Sequence, residues 1–479
     1  MLIFLRSEKP IKDKIFNFAD KIQQNQTMLS KTVKLSLLLS VMLLLTAADA
    51  EARKWTLAEC IDYALKNNIT LQKLLIAKQS ATEDVLFSKA ALQPTLTAQT
   101  TQTGGVQPFV TSERSAIANG YVESSVDKFY YNGSYSLNFN WTVWNGNRNR
   151  NQIKLDQLAE KQADLEAEAT ANSIQEQIAQ LYVQILYSAE AIDVSRQSLA
   201  TSTKNEERGK VMVEVGQMSR AELSQLTAQR AQDEYNIVAS QANLQNYKRQ
   251  LKELLELTDD EEFDVVAPAA VKGDALRQIP AFQAVYEQAL ATRPELKAQQ
   301  IAIEESDISL KIAKAQRLPT IGINSSLLTN MTTMSATKWS RQLKDNVNLS
   351  AGVTVSVPIL DNRQAKTAVN KAMLAHQNSL LELKNQQTQL YSTIESYWIQ
   401  AVTNQAKYRA ALVNSESQKA SYEMLSEQFQ VGLKNIVELM NGKNNLLAAQ
   451  QSELESKYLT ILNIQMLNFY HQGKPFTEE

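Results

Sequence analysis

Cysteine, histidine and glycine are scarce in this chain: one Cys, two His and 13 Gly among 479 residues. With Cys60 alone no intrachain disulfide can form, and His376 and His471 lie too far apart in sequence for a local metal motif. Few glycines argue against a Gly-rich phosphate-binding enzyme and for long uninterrupted helices. Charge of one sign is missing too, with 49 Lys plus Arg against 51 Asp plus Glu. That balance leaves no electrostatic footprint for nucleic acid, while a 44% hydrophobic content is ordinary for a chain that folds.

Long apolar runs are missing, except near the start. In residues 31–50, Lys31 and Lys34 precede an apolar run from Leu35 to Leu45, followed by small residues with Ala48 and Ala50 two apart. This is the pattern of a secretory signal peptide cleaved near Ala50, too short for the roughly 20 apolar residues that span a bilayer as a helix. Residues 1–27 precede Met28, an alternative start. No later stretch is apolar enough for a spanning helix, so any membrane crossing must use a β-barrel.

The chain repeats itself. An offset of 225 lays residues 55–96 over 280–321 without a gap, with nine of 42 positions identical, including Pro94-Thr95 over Pro319-Thr320. Further on the offset is 216, placing Gly216 on Gly432, Glu222 on Glu438 and Leu223 on Leu439. Each half (51–270 and 271–479) reads helix, strand, loop, strand, long helix, turn, long helix. The strand pairs are expected at about 93–112 with 129–145 and 318–332 with 345–360, and the helical hairpins at 147–256 and 362–470. Tyr135, Leu137, Phe139, Trp141 and Val143 alternate with polar residues, as do Leu349, Ala351, Val353, Val355 and Val357.

Between the strands of each pair lie Ser-, Asn- and Thr-rich loops, 113–128 and 333–344. Trp141, Trp144, Tyr130, Tyr131 and Trp339 are placed near strand ends, where interfacial aromatics belong. Four strands cannot enclose water, because the smallest usual bacterial barrel has about eight, so the barrel must be shared between chains. The hairpins carry apolar residues at coiled-coil spacing, from Leu380 and Leu383 through Leu390, Ile394 and Tyr408, and from Ile174 to Ile185. Each hairpin reverses at a glycine, Gly216 or Gly432.

Taken in order, WTLAECIDYALKNNITLQ, VWNGNRNR, VGQMSRAEL, ALATRPELKAQ, PILDNRQ and VGLKNIVEL resemble the TolC-like outer-membrane efflux proteins over essentially the whole chain from Trp55 to about Tyr470. The resemblance implies an α+β membrane protein. In it a homotrimer builds a twelve-stranded barrel, four strands per chain, continuous with an α-helical coiled-coil barrel reaching into the periplasm. It implies a passive duct in the outer membrane, without cofactor, that docks onto a periplasmic adaptor and an inner-membrane transporter in a tripartite efflux or type I secretion system.

The resemblance also carries residue roles. Glu438 matches an acid that rings the family's periplasmic aperture, and Asn441 stands where a second acid is found. Phe429 replaces a tyrosine that bonds to an acid matching Glu222, and Lys434 is placed to pair with Glu222 or a neighbouring chain. Gly216, Gly432, Leu223 and Leu439 mark the adaptor-docking tips. A periplasmic coiled-coil adaptor or scaffold without a pore is the alternative, but it leaves the strand pairs without a role. An enzyme fails for want of a nucleophile elbow or His cluster, and Cys60 reads as a buried inert thiol.

Overall fold

The computed structural model describes residues 53–109, 113–117, 120–124, 129–258, 263–266, 275–335 and 337–472. The signal peptide and the segment before Met28 fall outside the described residues. The chain divides into two units. In the small one, which includes Arg53–Trp55 (β1), the rings of Trp55 and Phe263 lie 6.1 Å apart.

The large unit holds the other elements except β6 (Phe263–Val265), whose Phe263 and Asp264 belong to the small one. In the first half these are α1 (Leu57–Asn67), α2 (Ile69–Ala90), β2 (Thr95–Val106), β3 (Glu113–Ile117), β4 (Gly120–Ser124), β5 (Phe129–Trp144), α3 (Arg148–Glu214) and α4 (Arg220–Leu254). After β6 (Phe263–Val265), the second half supplies α5 (Phe282–Thr292), α6 (Pro294–Ala315), β7 (Thr320–Thr332), α7 (Trp339–Asp345), β8 (Asn348–Ser356), α8 (Gln364–Gln430) and α9 (Ile436–Gln472). Helices α3 and α8 each have 67 residues, about 100 Å at 1.5 Å per residue.

Local chemistry sets the boundaries. Thr56 and Glu59 form a capping box at the start of α1, each accepting a backbone N–H of the other. Asn68 caps α2 by accepting from the amides of Thr70 and Leu71, and Pro294 opens α6 at a position where no helical N–H is needed. Helix packing follows the repeat. Helix α3 packs on α4 and α8 on α9, α3 and α9 meet between the hairpins, and α6 contacts both α3 and α8. In this layer α4 and α8 are the outer members.

Buried charges are paired. Arg293 Nη2 lies 3.1 Å from Glu176 and its Nε 2.8 Å from Glu295, and its guanidinium sits 4.4 Å above the ring of Tyr470. Lys457 pairs with Glu190 at 2.8 Å, and Glu190 also accepts from Tyr458 Oη at 2.6 Å. Cys60 is fully buried, and desolvation, with the nearby Glu59 charge adding to it, pushes its thiol up to about 12, so it stays an unreactive core residue.

The α+β class and the four strands of one chain stand as read from the sequence. The loops differ. Where 113–128 reads as a Ser-rich loop, the backbone forms the antiparallel β3–β4 hairpin. Trp339 is not at a strand end but opens α7, which occupies the second half of the expected 333–344 loop. The polarity of WSRQLKD suits a loop, yet Gln342 is buried and its amide ties this short helix to Thr332 and Thr337, overriding local preference. The coiled-coil stripe of α8 is buried at Leu390, Ile394, Ala401 and Tyr408 but exposed at Leu380.

Candidate functional site

Two regions of the large unit carry the functional candidates: the sheet and the hairpin tips. The sheet has the antiparallel order β2-β5-β7-β8, with the middle pair joining the two repeats. Register puts Ala98, Leu137, Leu327 and Leu349 in one row and Leu96, Phe139, Ser325 and Ala351 in another, with Trp141, Ile323 and Val353 beyond them. Cross-strand partners share a face, so these residues build one apolar surface. Thr97, Asn138, Ser326 and Ser350, then Thr95, Asn140, Asn324 and Gly352, build the opposite polar surface. No residue of these four strands carries a charge.

The apolar face is largely uncovered: Leu349 is 73% exposed, Leu96 70% and Val353 68%. A sheet with one bare apolar face and one polar face is the wall of a membrane barrel. Aromatics mark both ends of β5. Trp141 and Trp144 lie at the helix-side end, where Trp141 Nε1 donates to the carbonyl of Leu92 at 2.9 Å. Tyr130 and Tyr131 lie at the far end, where Tyr131 Oη donates to Gln102 at 2.8 Å. Tyr130 also closes over Gly105, where an added Cβ would come within 2.4 Å of its ring. From Tyr131 to Trp141 is about 33 Å of extended chain, enough to cross the hydrocarbon layer at a tilt.

Both tips repeat one design. Gly216 and Gly432 each adopt φ +74 in open space, and each turn closes with backbone bonds from Gln217 to Met212 (2.8 Å) and from Leu433 to Gln428 (2.9 Å). Two acids then start the returning helices. Glu222 accepts from the Ser219 amide and hydroxyl, both at 2.8 Å, while its own amide donates to Ser219 Oγ. Glu438 accepts from the Asn435 amide at 3.2 Å and from Lys434 Nζ at 2.6 Å. The Ser219 backbone bond holds the Glu222 carboxyl below its usual range, and the Lys434 hydrogen bond does the same for Glu438, so both stay ionised.

The sequence placed Lys434 beside Glu222 or a neighbouring chain; within this chain it bonds Glu438, one helical turn along. Phe429 is buried with Leu226, Ile436 and Leu439, with Met212, Met218, Tyr422 and Met440 packed around them. Residues of α3, α4, α8 and α9 thus meet in one apolar cluster at the tips. Leu439 belongs to this cluster and Leu223 is half-buried, so neither presents a bare surface, whereas Asn441 is exposed. The apolar side chains that do face outward at the turns are Val211, Val215, Val431, Leu433 and Val437.

The outer membrane efflux protein family matches residues 60–256 and 285–468. The chain belongs to this family. It is similar to outer membrane efflux protein BepC of Brucella suis, 21% identical over 418 residues covering 86% of this chain and 84% of that protein. It is also similar to toxin and drug export protein A of Aggregatibacter actinomycetemcomitans, 20% identical over 84% of this chain and 82% of that one. Among solved structures, the outer membrane channel CmeC of Campylobacter jejuni shares its fold, with a TM-score of 0.72, 17% identity and coverage of 88% of this chain and 87% of that one. As a family member the chain is an outer-membrane efflux channel with a periplasmic helical extension.

Charged groups between the hairpins lie just beyond the tip cluster, and sequence reading missed them. Lys443 of α9 bonds to Asp233 of α4, which also accepts from Ser202 of α3, and all three side chains are buried. Beside them Glu206 pairs with Arg230 at 2.7 Å and Lys210 at 3.3 Å. A separation of 210 residues between Lys443 and Asp233 leaves no local signal. The tip acids did have one, since Ser219 to Glu222 and Asn435 to Glu438 both show capping-box spacing.

Proposed function

We propose that this chain assembles as a homotrimer forming a passive duct through the outer membrane and periplasm, opened when a periplasmic adaptor and an inner-membrane transporter dock at the hairpin tips. One observation supports this above others: both layers of the large unit end in unpartnered edges on matching sides. In the sheet these are β2 and β8. In the helical layer, α4 exposes Ala228, Ala231, Tyr235, Val238 and Ala242, and α8 exposes Val402, Ala406, Ala410, Val413, Ala420 and Met424, in steps of three, four or seven residues. Joining β8 and α8 of one copy to β2 and α4 of the next buries both edges together, and three copies give a twelve-stranded barrel.

In this assembly the polar face of the sheet lines the bore and the apolar face meets lipid. Glu438, with Lys434, Glu222, Phe429 and Asn441, forms the periplasmic constriction. One acid per chain where the family has two gives a weaker ring of charge, and closure rests on the Phe429 packing and one ion pair. The exposed valines and Leu433 around Gly216 and Gly432 offer the adaptor an apolar surface. The duct moves its cargo without chemistry of its own; efflux and type I secretion are both served by such a passage, and the cargo is selected by the pump. The test is the native mass and planar-bilayer conductance of the chain purified in detergent. A trimer with discrete conductance is expected, and a monomer soluble without detergent overturns the reading.

A further inference from the structure

The end of the sheet remote from the helical hairpins carries two joined cavities that the duct does not use. An apolar one of about 370 Å³ is lined by Ala98, Tyr135, Leu137, Leu327, Thr329 and Val347 among others. A second of about 510 Å³ is lined by Tyr135, Met331, Thr332, Thr337, Trp339 and Gln342 among others. Tyr135 belongs to both. The strand register puts Ala98, Leu137 and Leu327, and likewise Tyr135 and Thr329, on the apolar face, so both cavities open on the surface that meets lipid.

Helix α7 forms the roof. Thr329 Oγ1 donates to the Leu343 carbonyl at 2.6 Å, and Gln342 accepts from the Thr332 amide at 2.8 Å while donating to the carbonyls of Thr332 and Thr337. With Gln342 turned inward, Trp339 lines the polar cavity, and Lys338, Arg341 and Lys344 stand exposed on and beside the same short helix. Arg341 reaches Asp345 only at 3.4 Å with both side chains well exposed, a contact too weak to engage the guanidinium fully. The polar cavity therefore offers hydroxyls and an indole face, with three exposed cations on and beside the helix that roofs it, and it shares Tyr135 with the apolar one.

We propose that these two cavities and α7 form a binding site for an anionic glycolipid, its phosphorylated sugar head held by Lys338, Arg341, Lys344 and Trp339 and an acyl chain lying along Leu137, Leu327 and Val347. Sugar rings stack on an indole through their C–H faces, hydroxyls bond the Thr332 and Thr337 groups, and phosphate takes the cations. A soluble phosphosugar would fill only the upper half. A plain phospholipid would leave the indole and hydroxyls unmatched. The site rests on the membrane reading above, which puts this end of the sheet in the outer leaflet.

Its test is native mass spectrometry of the full chain in detergent, titrated separately with phosphorylated lipid A, with the same disaccharide phosphate stripped of acyl chains, and with phosphatidylglycerol. Wild-type protein is expected to retain lipid A about tenfold more tightly than either of the others. Replacing Lys338, Arg341 and Lys344 with Gln should weaken it about fivefold per cation removed. Undiminished binding in the triple variant, or equal retention of phosphatidylglycerol, overturns the site. Equal binding of the deacylated sugar assigns it to a soluble ligand and overturns the lipid proposal. A failure of the duct reading shows separately, as a missing trimer mass in wild-type protein before lipid is added.

Discussion

Lys443 and Asp233 form an ion pair buried between the two hairpins, joining α9 of the second repeat to α4 of the first. Ser202 donates to the same carboxylate oxygen, so three helices share one charged node. Breaking such a pair from one side leaves a buried charge uncompensated. Lys443→Ala is expected to lower stability by about 3–5 kcal/mol, and the double change Lys443→Met with Asp233→Leu by much less. Thermal unfolding of the detergent-purified protein measures both; equal losses in the single and double variants would assign the effect to packing rather than charge.

Phe429 fills the apolar cluster at the tips, so truncation there should loosen what the surface ion pair cannot hold. Phe429→Ala is expected to lower stability by about 3–5 kcal/mol. It should also raise resting conductance in planar bilayers more than Lys434→Ala does, because the Lys434–Glu438 pair is solvent-exposed and such pairs contribute about 0–1 kcal/mol. If Lys434→Ala opens the channel and Phe429→Ala does not, packing is not what closes it.

Glu305 has a buried carboxylate oxygen with no hydrogen-bond partner among the described residues. Burial, followed by the charge of Glu166, raises its pKa above the ordinary value. A raised folded-state pKa stabilises the protein below the unfolded value of 4.5, and that contribution is lost as pH rises through the folded value. Glu305→Gln keeps the neutral shape at every pH. The variant should melt at a higher temperature than wild type at pH 7, with the difference shrinking toward pH 4; a lower melting temperature at pH 7 would refute this.

Charge placed on either helical edge should impair assembly without touching the core. Val238 and Val413 are 59% and 67% exposed in the single chain and lie on the stripes assigned to the contact between copies. Val238→Glu and Val413→Glu are each expected to shift the protein from trimer to monomer on mild heating in detergent, read by gel migration, with helix content unchanged by circular dichroism. Unaltered trimers would move the contact elsewhere on the helices.

The strand faces, hairpins and glycine turns are legible in the sequence because each depends on short-range periodicity or on one permissive residue. Leu137 and Leu327 alternate with polar neighbours before any pairing is known, and Gly216 and Gly432 stand where the helical pattern reverses. Interactions set by helix register are not legible in this way. Nothing near Asp233 announces Lys443, and Lys434 could be assigned to Glu222 only by analogy, whereas the three-residue step from Ser219 commits Glu222 to its own helix. Trp339 was misplaced because a buried glutamine, Gln342, folds its segment against the strands, and such a residue looks like any surface amide in the sequence.

The four strands that cross the membrane contain amides, hydroxyls and apolar side chains but neither acid nor base. In the proposed duct a corridor walled by these strands would carry no fixed charge to favour an anion over a cation of equal size. Sorting by sign would then fall to the charged helical stretch below the sheet, the proposed constriction at Glu438 and Lys434 included, and substitutions there would retune what leaves the cell without disturbing the exit.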